Sequence, residues 1–457
     1  MAMQKVMLNS RSQGIGRKWA CILLVLVSAS AASSQHIVET LPGFPGKLSF
    51  KLETGEDFEY NSDLRSEINA KIAYFSFKGG PLKFHITDYT GGLPSLIYEP
   101  DAWTKTANII FIDAPVGAGF SYATAASAYP STDTSNTAQM QAFLRNWWRH
   151  IQVSKPIRCL LAAILLLVYI LQCLLRRSYE YTSSFLVPKS AGNEAGFKLY
   201  VHIKEMILSC PHTFTDLETN SKIPFAHRLA LISDALYKSL EENCGGNFVG
   251  STNTTCTEDL AAYDELIELI SKQNVLEPDC SFLSPKSKEA CKSAISNQEK
   301  HSRPRDLWCK NFDYLLSDIW GNYPSVQDAL GVRQGTVSEF FRCNISLSYT
   351  VDVDNVLDYH KNLTSLGMQV LVFSGDHDMV IPHNGIEEWI NWLDLTTDID
   401  WRPWFVDGQV AGYTTKYIDG GYRLTYATLK GSGHSPPEYK CRECYEMFHR
   451  WIHYYPL

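Results

Sequence analysis

The chain has 457 residues, of which 45% are hydrophobic and 20% are charged, and its formal net charge is -8. A net negative charge gives no reason to expect nucleic acid as a partner, and the apolar and charged fractions are those of an ordinary globular protein. A chain of this length can form one large α/β domain with insertions or two domains of ordinary size.

The N-terminus has the layout of a secretory signal peptide. Arg17 and Lys18 precede an apolar core from Trp19 to Val27, and small residues follow this core. An uncleaved membrane anchor is the alternative, but the apolar core is too short to span a bilayer comfortably. We therefore predict a signal peptide at 1–34 and a secreted mature chain.

A strand, a loop and a helix follow one another between residues 107 and 151. Ile109 to Ile112 form an apolar run that enters a Pro/Gly loop. The stretch TSNTAQMQAFLRNWWRHI comes next, with an N-cap residue at its start and apolar side chains at helical spacing. This succession predicts a βα step of a parallel sheet.

A long apolar segment runs from Cys159 to Leu175 and is interrupted only by Gln172. One interpretation is a membrane-spanning helix, slightly short for a hydrocarbon core of roughly 30 Å. A second is a wholly buried helix, and a third is that the segment is not part of the evolved structure. The membrane interpretation is the least favoured, because a span here would cut the domain in two.

Residues 220–300 have mostly helical patterns and contain several cysteines, so we predict a helical insertion or cap at about 216–310, between strand-rich regions. Cys244 and Cys256 flank a Gly/Asn-rich loop, and Cys280 and Cys309 flank a second polar stretch. Short loops between cysteines in a secreted chain indicate disulfides. Free or metal-bound thiols are the weaker alternative, because no CxxC motif pairs with a second one.

Three Asn-x-Ser/Thr sequons occur, at Asn253, Asn344 and Asn362. Each sequon alone is a weak signal. After a signal peptide they predict a glycosylated surface.

Strands return between residues 366 and 434, and a C-terminal helix closes the chain. Asp378 follows the apolar run Leu371–Phe373, and His434 follows a later strand, Leu424–Leu429, on a Gly-rich turn. An acid and then a histidine after successive strands form the second half of the Ser-Asp-His order of α/β-hydrolases. In such a triad the acid orients the imidazole, which takes a proton from the serine.

Each of these residues also has a structural alternative. His434 alone is equally well explained as a hydrogen-bonded turn histidine, and Asp376 and Asp378 as acids that cap the bend. We keep the capping interpretation for Asp376. For Asp378 the pairing with His434 outweighs it.

The nucleophile that should precede this pair is missing. A G-x-S-x-G motif, the strand-to-helix turn that carries the serine, occurs nowhere in the sequence. The nearest fragment is PKSAGNEAG, in which Ser190 lacks the preceding glycine turn. The chain also has no HExxH motif, P-loop or strand-linked GxGxxG, so we predict neither a metal nor a cofactor.

Several long stretches resemble the plant serine carboxypeptidase-like family, the S10 group of α/β-hydrolases. They include AWTKTANIIFIDAPVGAGFSY, NSKIPFAHRLALISDALYKSLEENCGGNFV, VLVFSGDHDMVIP and LKGSGHSPPEYKCRECYEMFHRWI. With their surroundings they cover about 36–150 and 216–457. The pattern is most similar to the branch that contains glucose-ester-dependent acyltransferases.

The resemblance implies an α/β-hydrolase domain over 35–457, with a mixed sheet and a helical cap. It implies Asp378 as the triad acid and His434 as the base, and it supports Cys244–Cys256 and Cys280–Cys309 as disulfide pairs. It also implies glycosylation, extracellular or vacuolar residence, and a peptide or an acyl-glucose as substrate.

Two blocks of the family pattern are absent, so the predicted domain is incomplete. The nucleophile block should follow the helix that ends near His150, and the oxyanion block should lie between Phe75 and Gly80. Both losses are contiguous with intact flanks, which favours a splicing fault with intron-derived sequence around 157–215. A transcript that encodes this aberrant segment as written would contradict that hypothesis.

The sequence leaves three functions open. The first is a serine-type carboxypeptidase by family, impaired because the nucleophile motif is absent. The second is a glucose-ester-dependent acyltransferase, which uses the same triad. The third is a non-catalytic pseudo-enzyme.

Overall fold

The structure is a computed structural model, and it describes residues 21–27, 36–50, 52–54, 58–60, 68–70, 80–85, 89, 91–150, 157–164, 201–279, 311–342, 344 and 346–457. Ser190, Cys280 and Cys309 lie outside these residues, so the structure does not place them.

Eight strands form one central sheet. In chain order they are β1 (Cys21–Val27), β2 (Asn108–Ala114), β3 (Ile157–Ile164), β4 (Val201–Ser209), β5 (Gln369–Gly375), β6 (Thr396–Val406), β7 (Gln409–Asp419) and β8 (Tyr422–Leu429). Their order across the sheet is β6-β7-β8-β5-β4-β3-β1-β2. The run β8-β5-β4-β3 is parallel, whereas β6, β7 and β1 pair antiparallel with their neighbours. The predicted mixed sheet is confirmed.

Ten α-helices occur within the described residues. They are α1 (Asp133–His150), α2 (Thr215–Arg228), α3 (Asp234–Cys244), α4 (Thr254–Ile267), α5 (Asn311–Gly321), α6 (Pro324–Ala329), α7 (Leu357–Thr364), α8 (His383–Trp392), α9 (Pro436–Tyr439) and α10 (Cys441–Ile452). Two 3₁₀ turns lie at Trp103–Lys105 and Ala126–Ala128. None of the helices in this part of the chain is both long and apolar enough to cross a membrane.

Short strands form four small sheets beside the central one. Their pairs are His36–Val38 with Leu52–Thr54, Leu82–Phe84 with Leu96–Tyr98, Ser131–Thr132 with Tyr349–Thr350, and Ile68–Ala70 with both Phe58–Tyr60 and Tyr122–Ala123.

The first predicted βα step is present, but its strand has no parallel partner. β2 pairs antiparallel with β1, and β1 pairs antiparallel with β3. β2 therefore points in the same direction as β3 while β1 lies between them. The helix after it, α1, begins at Asp133, close to the start that the N-cap signal predicts.

β1 comes from the range 1–34, which the sequence predicts as a signal peptide. All seven of its residues pair with β2, from Cys21 opposite Ala114 to Val27 opposite Asn108, and five of them also pair with β3. An uninterrupted apolar run suits a strand with neighbours on both edges and layers on both faces. Cleavage of the signal stays a prediction, and it would remove this strand from the sheet.

The apolar segment from Cys159 to Leu175 begins as a strand. β3 contains Cys159 to Ile164 and pairs in parallel with β4. The interpretation of these six residues as part of a membrane or buried helix is therefore wrong, and 165–175 lie outside the described residues. An apolar run carries no periodicity that separates strand from helix, so pairing with a neighbouring strand decides the outcome.

The main core lies between the sheet and the helices that cover it. Its fully buried members come from β2, β4, β5, β8, α8 and α10, and they include Ile112, Leu208, Phe373, Ala427, Trp389 and Phe448. The indole of Trp103 stacks on the Phe448 ring, with ring centroids 4.5 Å apart. This core holds the ends of β4, β5 and β8 at fixed positions.

The helical insertion packs around its own core. Within the insertion, α2 ends at Arg228 and α3 begins at Asp234, where the Ser233 side chain caps α3 by accepting from the Leu236 N–H. α3 ends at Gly245, whose φ of 63° is left-handed and suits glycine. The Cys244–Cys256 disulfide, with Cα atoms 5.0 Å apart, links α3 to α4.

The three sequon asparagines differ in their surroundings. Asn253 is exposed, and its side chain caps α4 by accepting from the Thr255 N–H. Asn362 is exposed, whereas Asn344 is half-buried and its amide donates to the Gly117 carbonyl. Glycosylation at these positions stays a prediction.

Candidate active site

The structure brings Asp378 and His434 into direct contact. The distance between Asp378 Oδ2 and His434 Nδ1 is 2.8 Å, and both side chains are buried. β5 and β8 are parallel neighbours, and Gly375 at the end of β5 lies opposite Leu429 at the end of β8. The two loops therefore leave the same edge of the sheet, which is where α/β enzymes place functional side chains.

The second carboxylate oxygen of Asp378 is also occupied. Asp378 Oδ1 accepts from the backbone N–H of Val380 at 2.7 Å and of Ile381 at 3.1 Å. These bonds hold the carboxylate in one orientation, so Oδ2 stays directed at the imidazole. This is the arrangement in which an acid selects the tautomer of a histidine and stabilises its cation.

Asp376 supports the loop that carries His434. Its Oδ1 accepts from the backbone N–H of Gly431 at 2.7 Å and of Ser432 at 3.3 Å. The His377 N–H donates to the Ser432 carbonyl at 2.9 Å, which adds a backbone bond between the two loops. The sequence assigns Asp376 to its own bend, whereas the structure makes it a positioning residue for the neighbouring loop.

The backbones of the two loops pass so closely that only glycine fits at the end of β5. A Cβ atom on Gly375 would lie 2.2 Å from the Ser432 carbonyl oxygen and 2.3 Å from that of Gly433. We expect Gly375→Ala to lower the free energy of unfolding by about 1–3 kcal/mol, because the loops must separate to admit the methyl group.

Urea unfolding of the parent and the variant measures this difference. Gly421→Ala is the matched control, because its nearest contact, the Gly367 Cα, lies 3.3 Å from the added Cβ. Equal losses in the two variants would show that close approach of the loops is not the reason for glycine at 375.

The loop that follows α4 forms hydrogen bonds with both the loop after β5 and the loop after β8. The His434 N–H donates to the Gln273 carbonyl at 2.7 Å, and the Met379 N–H donates to the Lys272 carbonyl at 3.0 Å. The helical insertion is therefore part of the site rather than a separate unit.

The far nitrogen of the imidazole is the atom that a nucleophile would contact. His434 Nε2 is buried and has no hydrogen-bond partner within the described part of the chain. Ser190, the nearest fragment to a nucleophile motif, is not among the described residues. Within the residues that it describes, the structure thus brings Asp378 and His434 together and places no hydroxyl in hydrogen-bond contact with His434 Nε2.

A third side chain at the same edge was missed by the sequence analysis. Cys210 follows β4 directly, is fully buried and has a φ of 43°, in the left-handed region that residues with a side chain seldom adopt. One ligand atom each from Cys210, Asp378 and His434 lies within 4.8 Å of the other two. The apolar run Met206–Leu208, ending in Ser-Cys-Pro, is the signal that could have indicated it.

Burial dominates the electrostatics of this edge. It raises the pKa of the Cys210 thiol well above its usual range, and the negative charge of Asp378 adds to the effect. Burial also lowers the pKa of Lys222 on α2, while the charges of Glu218 and Asp378 oppose that shift. At neutral pH Cys210 is therefore a neutral thiol next to the Asp378 side chain.

A family model matches most of the chain and is interrupted once. The family model for serine carboxypeptidases, peptidase S10, matches residues 74–156 and 186–454. Its interruption at 157–185 falls within the segment predicted as aberrant, 157–215, and the match covers the remainder of that segment. β3 therefore comes from sequence that the family model does not match.

Two curated relatives and one solved structure are similar over nearly the whole chain. Serine carboxypeptidase-like 17 of Arabidopsis thaliana is 35% identical over 95% of this chain and 97% of its own length. Serine carboxypeptidase-like 13 of the same plant is 34% identical over 95% and 98%. The crystal structure of KEX1(delta)P, a prohormone-processing carboxypeptidase from Saccharomyces cerevisiae, superimposes with a TM-score of 0.62 at 15% identity, over 88% of this chain and 91% of that one. This structural likeness supports the α/β-hydrolase fold, and the sequence matches show that the chain belongs to the serine carboxypeptidase family.

Proposed function

We propose that this chain is a serine carboxypeptidase-like protein that retains the acid–base pair of its family but is impaired in covalent catalysis. The observation that carries the proposal is the buried Asp378–His434 pair, with its 2.8 Å hydrogen bond, in a sequence without a G-x-S-x-G motif. The names of the similar proteins favour hydrolysis of a peptide C-terminus as the ancestral reaction.

The retained pair defines what the reaction would require. His434 Nε2 would take the proton of a serine hydroxyl while the serine oxygen bonds to the substrate carbonyl carbon. The imidazolium would then give that proton to the leaving group, and water would release the acyl group by the same route. Without the hydroxyl the pair can still hold a proton, but no covalent intermediate can form.

Transfer of an acyl group from a glucose ester to an alcohol is the second candidate. It uses the same acid and base, and only the leaving group and the acceptor differ. A blocked dipeptide and an acyl-glucose assayed side by side on one preparation would separate the two. A non-catalytic binding protein is the third candidate, and the missing nucleophile motif is what favours it.

We also infer that the chain enters the secretory pathway and resides outside the cell or in the vacuole. The signal layout at 1–34 supports this inference, and so does the Cys244–Cys256 disulfide, because disulfides persist in oxidising compartments.

A fluorophosphonate probe tests the central proposal, because it reacts covalently with the activated serine of serine hydrolases. We expect the full-length chain to stay unlabelled under conditions that fully label a hydrolase with a G-x-S-x-G motif. A Ser190→Ala variant is the control for the one candidate hydroxyl that the sequence offers. Labelling of the parent that Ser190→Ala abolishes would overturn the proposal of impaired catalysis.

A further inference from the structure

Cys210, Asp378 and His434 lie at the ends of three adjacent strands. β8, β5 and β4 are consecutive in the parallel part of the sheet, so their carboxyl ends meet at one edge. All three side chains are at least nine-tenths buried, and each offers one ligand atom within 4.8 Å of the other two. We propose that these three residues bind a soft divalent metal ion, with Zn²⁺ as the best match.

The spacing is close to that of a real site. In a tetrahedral zinc site, bonds of about 2.3 Å to sulfur and about 2.0 Å to nitrogen or oxygen leave the ligand atoms roughly 3.3–3.5 Å apart. Ligand atoms within 4.8 Å of one another therefore need to approach by about 1.5 Å at most. Side-chain rotations of Cys210 and His434 would supply a movement of this size.

The chemistry of the three ligand atoms indicates which metal ion would bind. A thiolate and an imidazole favour zinc over magnesium or calcium, which prefer oxygen donors, and a carboxylate completes a mixed set. Three protein ligands leave the fourth position of a tetrahedral ion open to water. Among the residues that the structure describes, no other three such side chains approach so closely, and the CxxC pair Cys441 and Cys444 belongs to no such group.

The outer contacts of the ligands favour a stable site. The backbone N–H groups of Val380 and Ile381 hold the Asp378 carboxylate in place, and the Gln273 carbonyl holds the His434 backbone. Contacts of this kind orient metal ligands and raise affinity. They come from the loop after β5 and from the helical insertion, so the fold fixes the Asp378 carboxylate and the His434 backbone before any ion binds.

Binding would change the chemistry of the acid–base pair. The ion displaces the thiol proton of Cys210 to solvent and takes a lone pair from one ring nitrogen of His434. The bound imidazole can no longer accept and return a proton in the way that acyl transfer requires. Metal occupancy and acid–base function at this edge of the sheet therefore exclude one another.

Cobalt(II) is the probe for this site, because thiolate coordination gives Co²⁺ a charge-transfer absorption in the near ultraviolet that oxygen and nitrogen ligands do not. We expect the full-length chain to develop this absorption on titration with Co²⁺ and to lose it when Zn²⁺ is added. Cys210→Ser should abolish the absorption, whereas Cys441→Ser, which changes another free thiol, should keep it.

Asp378→Asn is a second variant in case Cys210→Ser does not fold. It retains the size of the side chain and Cys210, and it should weaken Co²⁺ binding at least about tenfold, the lower end of the range for disturbing a metal site. Circular dichroism of each variant establishes that it is folded. No thiolate absorption in the parent, or an absorption that Cys210→Ser leaves intact, would overturn the proposal.

Discussion

The full-length chain is expected to hydrolyse a blocked dipeptide on the order of 10⁶ times more slowly than a serine carboxypeptidase with a complete triad. The reason is that a histidine and an acid without a nucleophile do not act on their own. In a serine protease, removal of the serine or the histidine alone costs about as much as removal of all three residues. The Asp378–His434 pair is intact in the structure, yet it has no hydroxyl to activate among the described residues.

Comparing the parent chain with a His434→Ala variant tests this expectation more directly. His434→Ala should change the residual rate by less than about tenfold, because a base that activates nothing contributes little to turnover, whereas a complete triad would lose on the order of 10⁶. Initial rates of the parent and the variant at the same enzyme concentration measure the ratio. A drop of a thousandfold or more in the variant would reveal a nucleophile, and the proposal of impaired catalysis would fail.

The second large effect concerns stability in acid and arises at His360 on α7. This imidazole is fully buried, stacks on Trp389 with ring centroids 4.4 Å apart, and has no hydrogen-bond partner for either nitrogen in the described structure. Burial lowers its pKa to about 3. An unfolded chain restores the ring to a pKa of about 6.5.

The sign of the effect follows from which state binds the proton. Above about pH 6.5 the ring is neutral in both the folded and the unfolded chain, and His360 does not change the free energy of unfolding. As the pH falls from about 6.5 to about 3, the unfolded chain binds a proton that the folded chain excludes. The free energy of unfolding should therefore fall by up to about 4 kcal/mol over this window, and His360 should contribute no further loss below it.

Urea unfolding at several pH values between about 7 and about 3 tests this expectation. His360→Leu should remove the contribution of one titrating group from the fall in the free energy of unfolding with falling pH, because leucine cannot titrate. At neutral pH this substitution should lower the free energy of unfolding only slightly, because it also removes two unpaired polar atoms from the core. His453→Gln, which removes an exposed imidazole, is the control and should keep the slope of the parent. An unchanged slope in His360→Leu would show that His360 is protonated in the folded chain.

Local signals in the sequence predicted much of the fold and half of the site. The strands that end at Gly375 and Leu429, the helix after β2 and the helical insertion all follow from periodicity and from Gly or N-cap signals. The order of an acid and then a histidine after successive strands identified Asp378 and His434. These features are local, so residues close in sequence are enough to indicate them.

Apolar runs are where sequence alone separates a helix from a strand least well. Cys159 to Ile164 resembles the start of a hydrophobic helix but forms β3, and Cys21 to Val27, in the range predicted as a signal peptide, forms β1. Both strands have a neighbour on each edge within the central sheet. Such runs can form a helix or a strand, and the choice depends on partners far away in the chain. Only the assembled sheet supplies those partners.

Sequence alone indicated the family, the candidate pair Asp378 and His434, and the absence of a serine motif, because each of these depends on short stretches of neighbouring residues. Tertiary structure decided that Asp376 supports the loop of His434 and that Cys210 reaches the same edge. The physical reason is that the carboxyl ends of parallel strands gather residues that lie more than 160 positions apart along this chain, from Cys210 to Asp378 and beyond. That gathering depends on strand order and register, which no local pattern contains.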